Sequence, residues 1–231
     1  MRPHQLKRWL IHYQSPQYTY YLENNMEENK IYLGDADLIL NDIPDGTVDI
    51  IVTDPPYIKM EWERAYNILA KHAPRILKPS GWLISYSGHY NLDKVMRMFG
   101  DAGLEYYWLN CQLNAGPTVM VHARKVICGW KPIVIYQKPP TLKCEKGFYD
   151  VIRSATEKNL HVWQQSLGDL DFIIPRFTKP GQLLVEPFAG SGTTITSAKA
   201  HGLRWIACEI NPQTYNIAVS RQIRESLFDE F

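Results

Sequence analysis

The first candidate for chemistry is a buried strand that ends in an acid, two prolines and an aromatic. The apolar run VDIIVT (residues 48–53) leads directly into Asp54-Pro55-Pro56-Tyr57. Each proline fixes its φ, removes an N–H donor and holds the preceding residue extended. The corner therefore offers a carboxylate and carbonyl acceptors beside a flat ring, which suits a planar group with an exocyclic amine. Taken alone, the motif favours a simple turn that has a capping Asp54 and a packed Tyr57.

The second candidate is a glycine turn between a strand and a helix. The run QLLVEPF (residues 182–188) leads into Ala189-Gly190-Ser191-Gly192, and Thr193 and Thr194 open a helix. Glycines allow a sharp turn and close approach to a ligand, and a helix N-terminus has free N–H groups. The next strand ends in Glu209, the position from which an acid binds ribose hydroxyls in nucleotide-binding folds. Without a third glycine in GxGxxG register or a GxxxxGK[ST] motif, the turn favours an adenosyl ligand that lacks phosphates.

The elements that must position these motifs alternate between strands and helices. Periodicity predicts strands at residues 48–53, 82–87, 182–188 and 204–210, and helices at 61–77, 91–103, 193–201 and 212–226. Residues 105–113 and 130–138 are typical of late antiparallel strands in a mixed sheet. This alternation predicts one doubly wound α/β domain over residues 1–231. Residues 139–166 have weak periodicity and are expected to form an insertion above the sheet.

Composition excludes several classes of protein. No apolar run approaches the ~18–20 residues that span a bilayer, and the N-terminus lacks the pattern of a secretory signal. Four separated cysteines without a CxxC pair indicate reduced thiols rather than a disulfide framework or a zinc site. Together these features favour a cytoplasmic protein.

Charge is uneven although the net charge is only +1. Residues 122–158 hold eight Lys or Arg against three Asp or Glu. Such an excess fits a phosphate-binding surface, although charge alone favours ordinary solvated surface. The candidate contacts to such phosphates are Lys59, Arg124, Lys143, Lys146 and Arg153.

Together, VTDPPY and EPFAGSGTT resemble the S-adenosylmethionine-dependent amino-methyltransferases of DNA, which modify adenine N6 or cytosine N4. The catalytic motif precedes the cofactor motif, which is the order of that family's beta class. In that class the target-recognition segment lies between the two motifs, so the resemblance implies that role for residues 139–166. The resemblance implies a Rossmann-like class I methyltransferase fold with a doubly wound, mixed and mostly parallel sheet of seven strands. It also implies S-adenosylmethionine as cofactor, S-adenosylhomocysteine as product, and no metal.

The resemblance also assigns site residues. The implied catalytic residues are Asp54, Pro55, Pro56 and Tyr57. The implied cofactor-binding residues are Asp35, Asp54, Gln164, Glu186, Phe188, Ala189, Gly190, Ser191, Gly192, Thr193, Thr194, Glu209 and Asn211. Many beta-class members have HPTQKP where this chain has HVWQQS (residues 161–166), so Gln164 is the cofactor contact expected from that stretch.

The expected reaction is methylation of the N6 of an adenine extruded from DNA, because aspartate opens the motif more often in adenine enzymes. Cytosine N4 is the alternative target, and an inactive nucleic-acid-binding relative is the alternative from another class. The expected partner is double-stranded DNA, with a cognate restriction endonuclease and a homodimer as further partners. A prokaryotic or viral protein of the cytoplasm is expected, and no membrane partner.

Overall fold

The computed structural model describes residues 26–57, 61–113, 119–153 and 166–228. Its strands are β1 (Lys30–Leu33), β2 (Val48–Thr53), β3 (Leu77–Tyr86), β4 (Glu105–Leu113), β5 (Val119–Val121), β6 (Val126–Cys128), β7 (Trp130–Gln137), β8 (Val151–Arg153), β9 (Leu183–Glu186) and β10 (Arg204–Glu209). Its α-helices are α1 (Ala36–Asn41), α2 (Trp62–Ile76), α3 (Leu92–Asp101), α4 (Leu167–Phe177), α5 (Thr193–Ala200) and α6 (Pro212–Phe228), and a short 3-10 helix covers His89–Asn91.

Eight of these strands form one sheet in the order β1-β10-β9-β2-β3-β7-β4-β8, and β5 and β6 form a separate hairpin. The strands from β1 to β3 in this order are parallel to one another, and β7 runs antiparallel to both of its neighbours. We call the edge where β1, β2, β3, β9 and β10 end the carboxyl edge, and the edge where they begin the amino edge. Because β7 is reversed, its first residues lie at the carboxyl edge.

The central strands are apolar on both faces because helices cover both faces. Ile50, Ile51 and Val52 of β2 are fully buried, as expected for a parallel strand between two layers. One face packs against apolar side chains of α4, α5 and α6, and the other packs against those of α1, α2 and α3. The predicted doubly wound, mixed and mostly parallel fold is therefore confirmed.

The sheet differs from the expected seven strands because the described residues contribute eight. The additional strand β8 lies inside the predicted insertion, residues 139–166, and pairs in parallel with the end of β4. Its central residue Ile152 is almost completely buried. Three residues are too few to show a periodicity, so the sequence pattern gave no signal for this strand. Among the described helices, none has both the length and the apolar character needed to cross a membrane.

Candidate active site

Asp54 follows β2 at the centre of the sheet. The chain leaves β2 toward β3 and leaves the adjacent strand β9 toward β10, so its connections diverge between β2 and β9. Open α/β sheets bind ligands at such a topological switch point, outside the carboxyl ends of the strands. Pro55 is buried, and the Tyr57 ring lies beside Gly88 with 40% of the residue exposed. A flat ring is thus available at the carboxyl edge.

The carboxylate of Asp54 has two side-chain partners. Tyr57 donates its hydroxyl hydrogen to Oδ1, and Lys131 Nζ donates to Oδ2 at 2.7 Å. Lys131 is the second residue of β7, 77 residues away in the chain. Its Nζ also lies 4.9 Å from the ring centroid of Tyr57 and 4.7 Å from that of Tyr86. The ammonium group is therefore positioned by one carboxylate and two aromatic faces.

Glu186 joins the strand ends on the two sides of the switch point. This buried carboxylate accepts hydrogen bonds from Thr53 Oγ1 at 2.6 Å and Thr194 Oγ1 at 2.9 Å, and from the Phe188 N–H at 3.0 Å. Burial raises the pKa of Glu186 to about 7, although these three donors act in the opposite direction. Its observed contacts are internal, so Glu186 links β2, β9 and α5.

The glycine turn and Glu209 form one connected structure. Gly190 and Gly192 adopt positive φ values of 53° and 81°, which favour glycine. The Gly190 N–H donates to Glu209 Oε2 at 2.9 Å, and the Asn211 N–H donates to Oε1 at 2.8 Å. A carboxylate has about four lone-pair sites, so Glu209 keeps acceptor capacity for a ligand. A Cβ atom placed on Gly190 would meet no atom within 4 Å, so open space adjoins the turn.

The other predicted cofactor residues have definite contacts within the protein. Asp35 follows β1, caps α1 by accepting from the Asp37 N–H, and pairs with Arg64 at 2.6 Å. The Asn211 side chain caps α6. Ser191, Thr193 and Thr194 are buried, and Phe188 and Ala189 pack in the core. The Thr193 hydroxyl accepts from Arg221 and the Thr194 hydroxyl donates to Glu186, so both are used within the protein.

The candidate DNA contacts separate into two groups. Arg124 lies in the turn between β5 and β6, 5.3 Å from the ring centroid of Tyr90, and Arg153 ends β8 at the carboxyl edge. Lys143 and Lys146 instead line a cleft with Asp49, near the start of β2. At ~3.3 Å per residue, Asp49 and Asp54 lie about 16 Å apart. The structure therefore brings Arg124 and Arg153 to the carboxyl edge and places Lys143 and Lys146 at the amino edge.

Sequence reasoning missed Lys131, and two of its candidates have no described position. Lys59 and Gln164 lie outside the described residues. The sequence did contain a signal for Lys131. This lysine stands at the start of a strand that was expected to run antiparallel, and the start of such a strand lies at the carboxyl edge. Within the described ranges, no group of three or more His, Cys, Asp or Glu side chains is arranged to hold a metal ion.

Comparison with known proteins gives consistent matches. Residues 130–220, which include Lys131, the glycine turn and Glu209, match the N6_N4_Mtase family model, described as DNA methylase. The type II methyltransferase M.BglII from Bacillus subtilis is 26% identical over 245 residues, covering 82% of this chain and 68% of the relative. Residues 130–220 are therefore similar to the N6/N4 DNA methylases.

Solved structures of similar proteins have the same fold. The M1.HpyAVI complex with S-adenosylmethionine is 23% identical, with a TM-score of 0.67 over 83% of this chain and 98% of that one. The PvuII DNA methyltransferase, described as cytosine-N4-specific, is 19% identical, with a TM-score of 0.71 over 84% of this chain and 86% of that one. Both likenesses show that this chain shares the fold of these two structures.

Proposed function

We propose that this chain transfers a methyl group from S-adenosylmethionine to the exocyclic N6 of an adenine in double-stranded DNA. The observation that carries the proposal is the placement of two motifs at one switch point. The acceptor corner at Asp54 follows β2, and the cradle formed by Gly190 and Glu209 lies at the ends of β9 and β10. A methyl donor and an amine acceptor bound at these two places would face each other at the carboxyl edge.

The glycine turn fits an adenosyl ligand. The open space beside Gly190 allows the backbone to approach the ligand, and Glu209 is held in place by two N–H groups while it keeps free lone pairs for ribose hydroxyls. When bound, S-adenosylmethionine supplies a methyl group on a positively charged sulfur. Asp35 and Gln164 remain proposed cofactor contacts.

Asp54 and the Pro55 carbonyl would accept the two hydrogens of the target amine. The lone pair of this amine is delocalised into the base ring, which makes the nitrogen a poor nucleophile. Two acceptors favour a pyramidal nitrogen whose lone pair points at the methyl group, so the site acts by positioning and electrostatics. After transfer the nitrogen gives up one proton, for which the Asp54 carboxylate is the nearest proposed acceptor.

Tyr57 supplies the surface on which the target base would stack. A base paired inside a duplex cannot reach the Asp54 corner, so the enzyme must extrude it. Stacking on an aromatic ring contributes about 1–3 kcal/mol per base and offsets part of the cost of unstacking. The partly exposed Tyr57 ring beside Gly88 is suited to this role.

Cytosine N4 is the second candidate target. The aspartate at the first position of the motif favours adenine, whereas similarity to a cytosine-N4-specific structure supports cytosine. Adenine and cytosine both present an amine next to a ring nitrogen, so the Asp54 corner accommodates either chemistry.

The proposed DNA surface is the carboxyl edge, with Arg124 and Arg153 as phosphate contacts. Lys59 is a further proposed contact. Because M.BglII is a type II methyltransferase, we also propose a cognate restriction endonuclease as a partner. A homodimer, and action in the cytoplasm as a prokaryotic or viral protein, are further proposals.

The experiment is methyl transfer from labelled S-adenosylmethionine to unmethylated duplex DNA, followed by digestion to nucleosides and mass spectrometry. We expect N6-methyladenine as the labelled product. N4-methylcytosine would replace the adenine proposal by the cytosine one. A protein that binds the cofactor and labels neither base in any DNA would contradict the proposed function.

A further inference from the structure

We propose that Lys131 reads the target base by donating a hydrogen bond to the ring nitrogen next to the methylated amine. Asp54 and Lys131 would then act as a matched acceptor and donor for one edge of the base. This inference rests on the proposed function, because it assigns a substrate contact within the same site.

The geometry places an acceptor and a donor side by side. Asp54 Oδ2 and Lys131 Nζ are 2.7 Å apart, and the Tyr57 ring adjoins both of them. A carboxylate oxygen has a second lone pair and an ammonium group has three N–H donors, so their mutual hydrogen bond leaves both groups able to bind further. A base stacked on Tyr57 would therefore present its edge to one acceptor and one donor.

The position of the Lys131 side chain is constrained by its strand and by two aromatic rings. Its backbone belongs to β7, which pairs with β3 next to Tyr86. Its ammonium group lies within 5 Å of the ring centroids of Tyr57 and Tyr86. The side chains of Lys131 and Asp54 are only 27% and 18% exposed, so the pair faces a limited opening. A donor fixed in this way imposes a direction on its hydrogen bond.

Two of the four DNA bases match this pair. Adenine and cytosine carry an amine, which donates, next to a ring nitrogen, which accepts. Guanine and thymine carry a carbonyl next to a ring N–H, which is the reverse order. A reversed edge would place a carbonyl oxygen against the Asp54 carboxylate and an N–H against an ammonium. Flipped bases are read through such hydrogen bonds to their Watson–Crick edge.

The test uses synthetic duplexes that contain the sequence methylated by the wild-type protein. The target adenine is replaced by 1-deazaadenine, which keeps the amine but has C–H in place of the N1 acceptor; 3-deazacytosine is the matching probe if the target is cytosine. We expect the wild type to lose about 10- to 100-fold in kcat/KM on the analogue, the range for a hydrogen bond to a charged group. Lys131→Met should be slow on adenine and lose less than about threefold further on the analogue, because the two changes remove the same bond.

The proposal would be overturned if the wild type and Lys131→Met lost the same factor in kcat/KM when the analogue replaces the natural base. Lys131 would then act independently of N1. Lys94→Met is the matched control. Lys94 also lies over an aromatic ring, Trp62, at 5.6 Å, but it belongs to α3 and not to β7, the strand that carries Lys131. This variant should lose as much activity on the analogue as the wild type does. If Lys131→Met does not fold, Lys131→Arg replaces it, and this variant should still have a lower kcat/KM on the analogue than on the natural base. A wild type with equal kcat/KM on both substrates would overturn the proposal by itself. A wild type that methylates no DNA at all would instead refute the proposed function.

Discussion

The two halves of the candidate site are built differently. In the cofactor half, the Glu209 carboxylate is held by the N–H groups of Gly190 and Asn211, which belong to adjoining turns. In the target half, the Asp54 carboxylate is held by Tyr57, three residues away, and by Lys131, 77 residues away. The cofactor half is thus prepared mainly by local backbone, whereas the target half is completed by a side chain from a reversed strand. Changes in one half should therefore leave the other largely intact.

The largest expected effect comes from Asp54→Ala. Loss of the acceptor should reduce methyl transfer by about 10²–10⁴-fold, the range for a positioned acid–base group. Affinity for S-adenosylmethionine should stay within about threefold, because the Gly190 and Glu209 cradle does not include Asp54. Single-turnover assays and calorimetry measure the two quantities, and near-wild-type transfer would refute the assigned role of Asp54.

Gly190→Val should act first on affinity for S-adenosylmethionine, the quantity that Asp54→Ala should leave almost unchanged. Valine at a φ of 53° is strained, and its side chain would enter the open space assigned to the cofactor. We expect cofactor affinity to fall by at least about 100-fold, which corresponds to roughly 2.7 kcal/mol. Gly46→Val is the matched control, since Gly46 has a φ of 65°, an equally open Cβ position and a location before β2, at the amino edge. Normal binding by Gly190→Val would remove the turn from the cofactor site.

The two groups of basic residues should differ in the salt dependence of DNA binding. Replacing Arg124 and Arg153 together by Gln should reduce the slope of log K against log salt by about 1.8, since each phosphate contact contributes about 0.9. The same change at Lys143 and Lys146 should leave the slope at its wild-type value, because these residues lie at the amino edge. A reduced slope for the lysine pair would show that DNA reaches that edge. A change in molecular mass by light scattering, with an unchanged slope, would indicate a dimer interface instead.

The smallest expected effect concerns Glu186, which joins the two halves. Because folding raises the pKa of Glu186 to about 7, the folded state favours the protonated carboxyl more than the unfolded state does. That contribution to stability is complete below the ordinary pKa of about 4.5 and is lost as the pH rises through about 7. Relative to the wild type, Glu186→Gln should therefore gain about 2 kcal/mol in free energy of unfolding between pH 5 and pH 8. Urea titrations at both values test this, and a difference that does not change with pH would contradict it.

Most of the fold and the cofactor half follow from local sequence. Apolar runs, helix periods and turn glycines lie close together in the chain, so the alternation of elements and the turn at Gly190 and Gly192 could be predicted. Glu209 could also be predicted, because it ends the strand after the glycine helix. These features are set by short-range geometry.

The remaining features depend on which strands become neighbours. Lys131 reaches Asp54 only because β7 is inserted antiparallel beside β3, which no local pattern near Asp54 indicates. Likewise, Lys143 and Arg153 lie in one basic stretch of sequence, yet the chain between them returns along the sheet to form β8. Counting charges along the sequence therefore grouped residues that lie at opposite edges of the folded sheet.

The central claim is that Asp54 directs methylation of a base amine in DNA, and the most direct measurement is sequencing with modified-base detection. DNA would be taken from cells that express the wild type, Asp54→Ala or no protein. We predict N6-methyladenine at one short recurrent sequence with the wild type and none above background with Asp54→Ala. Methylation that persists in Asp54→Ala, or wild-type DNA without any modified amine, would contradict the claim.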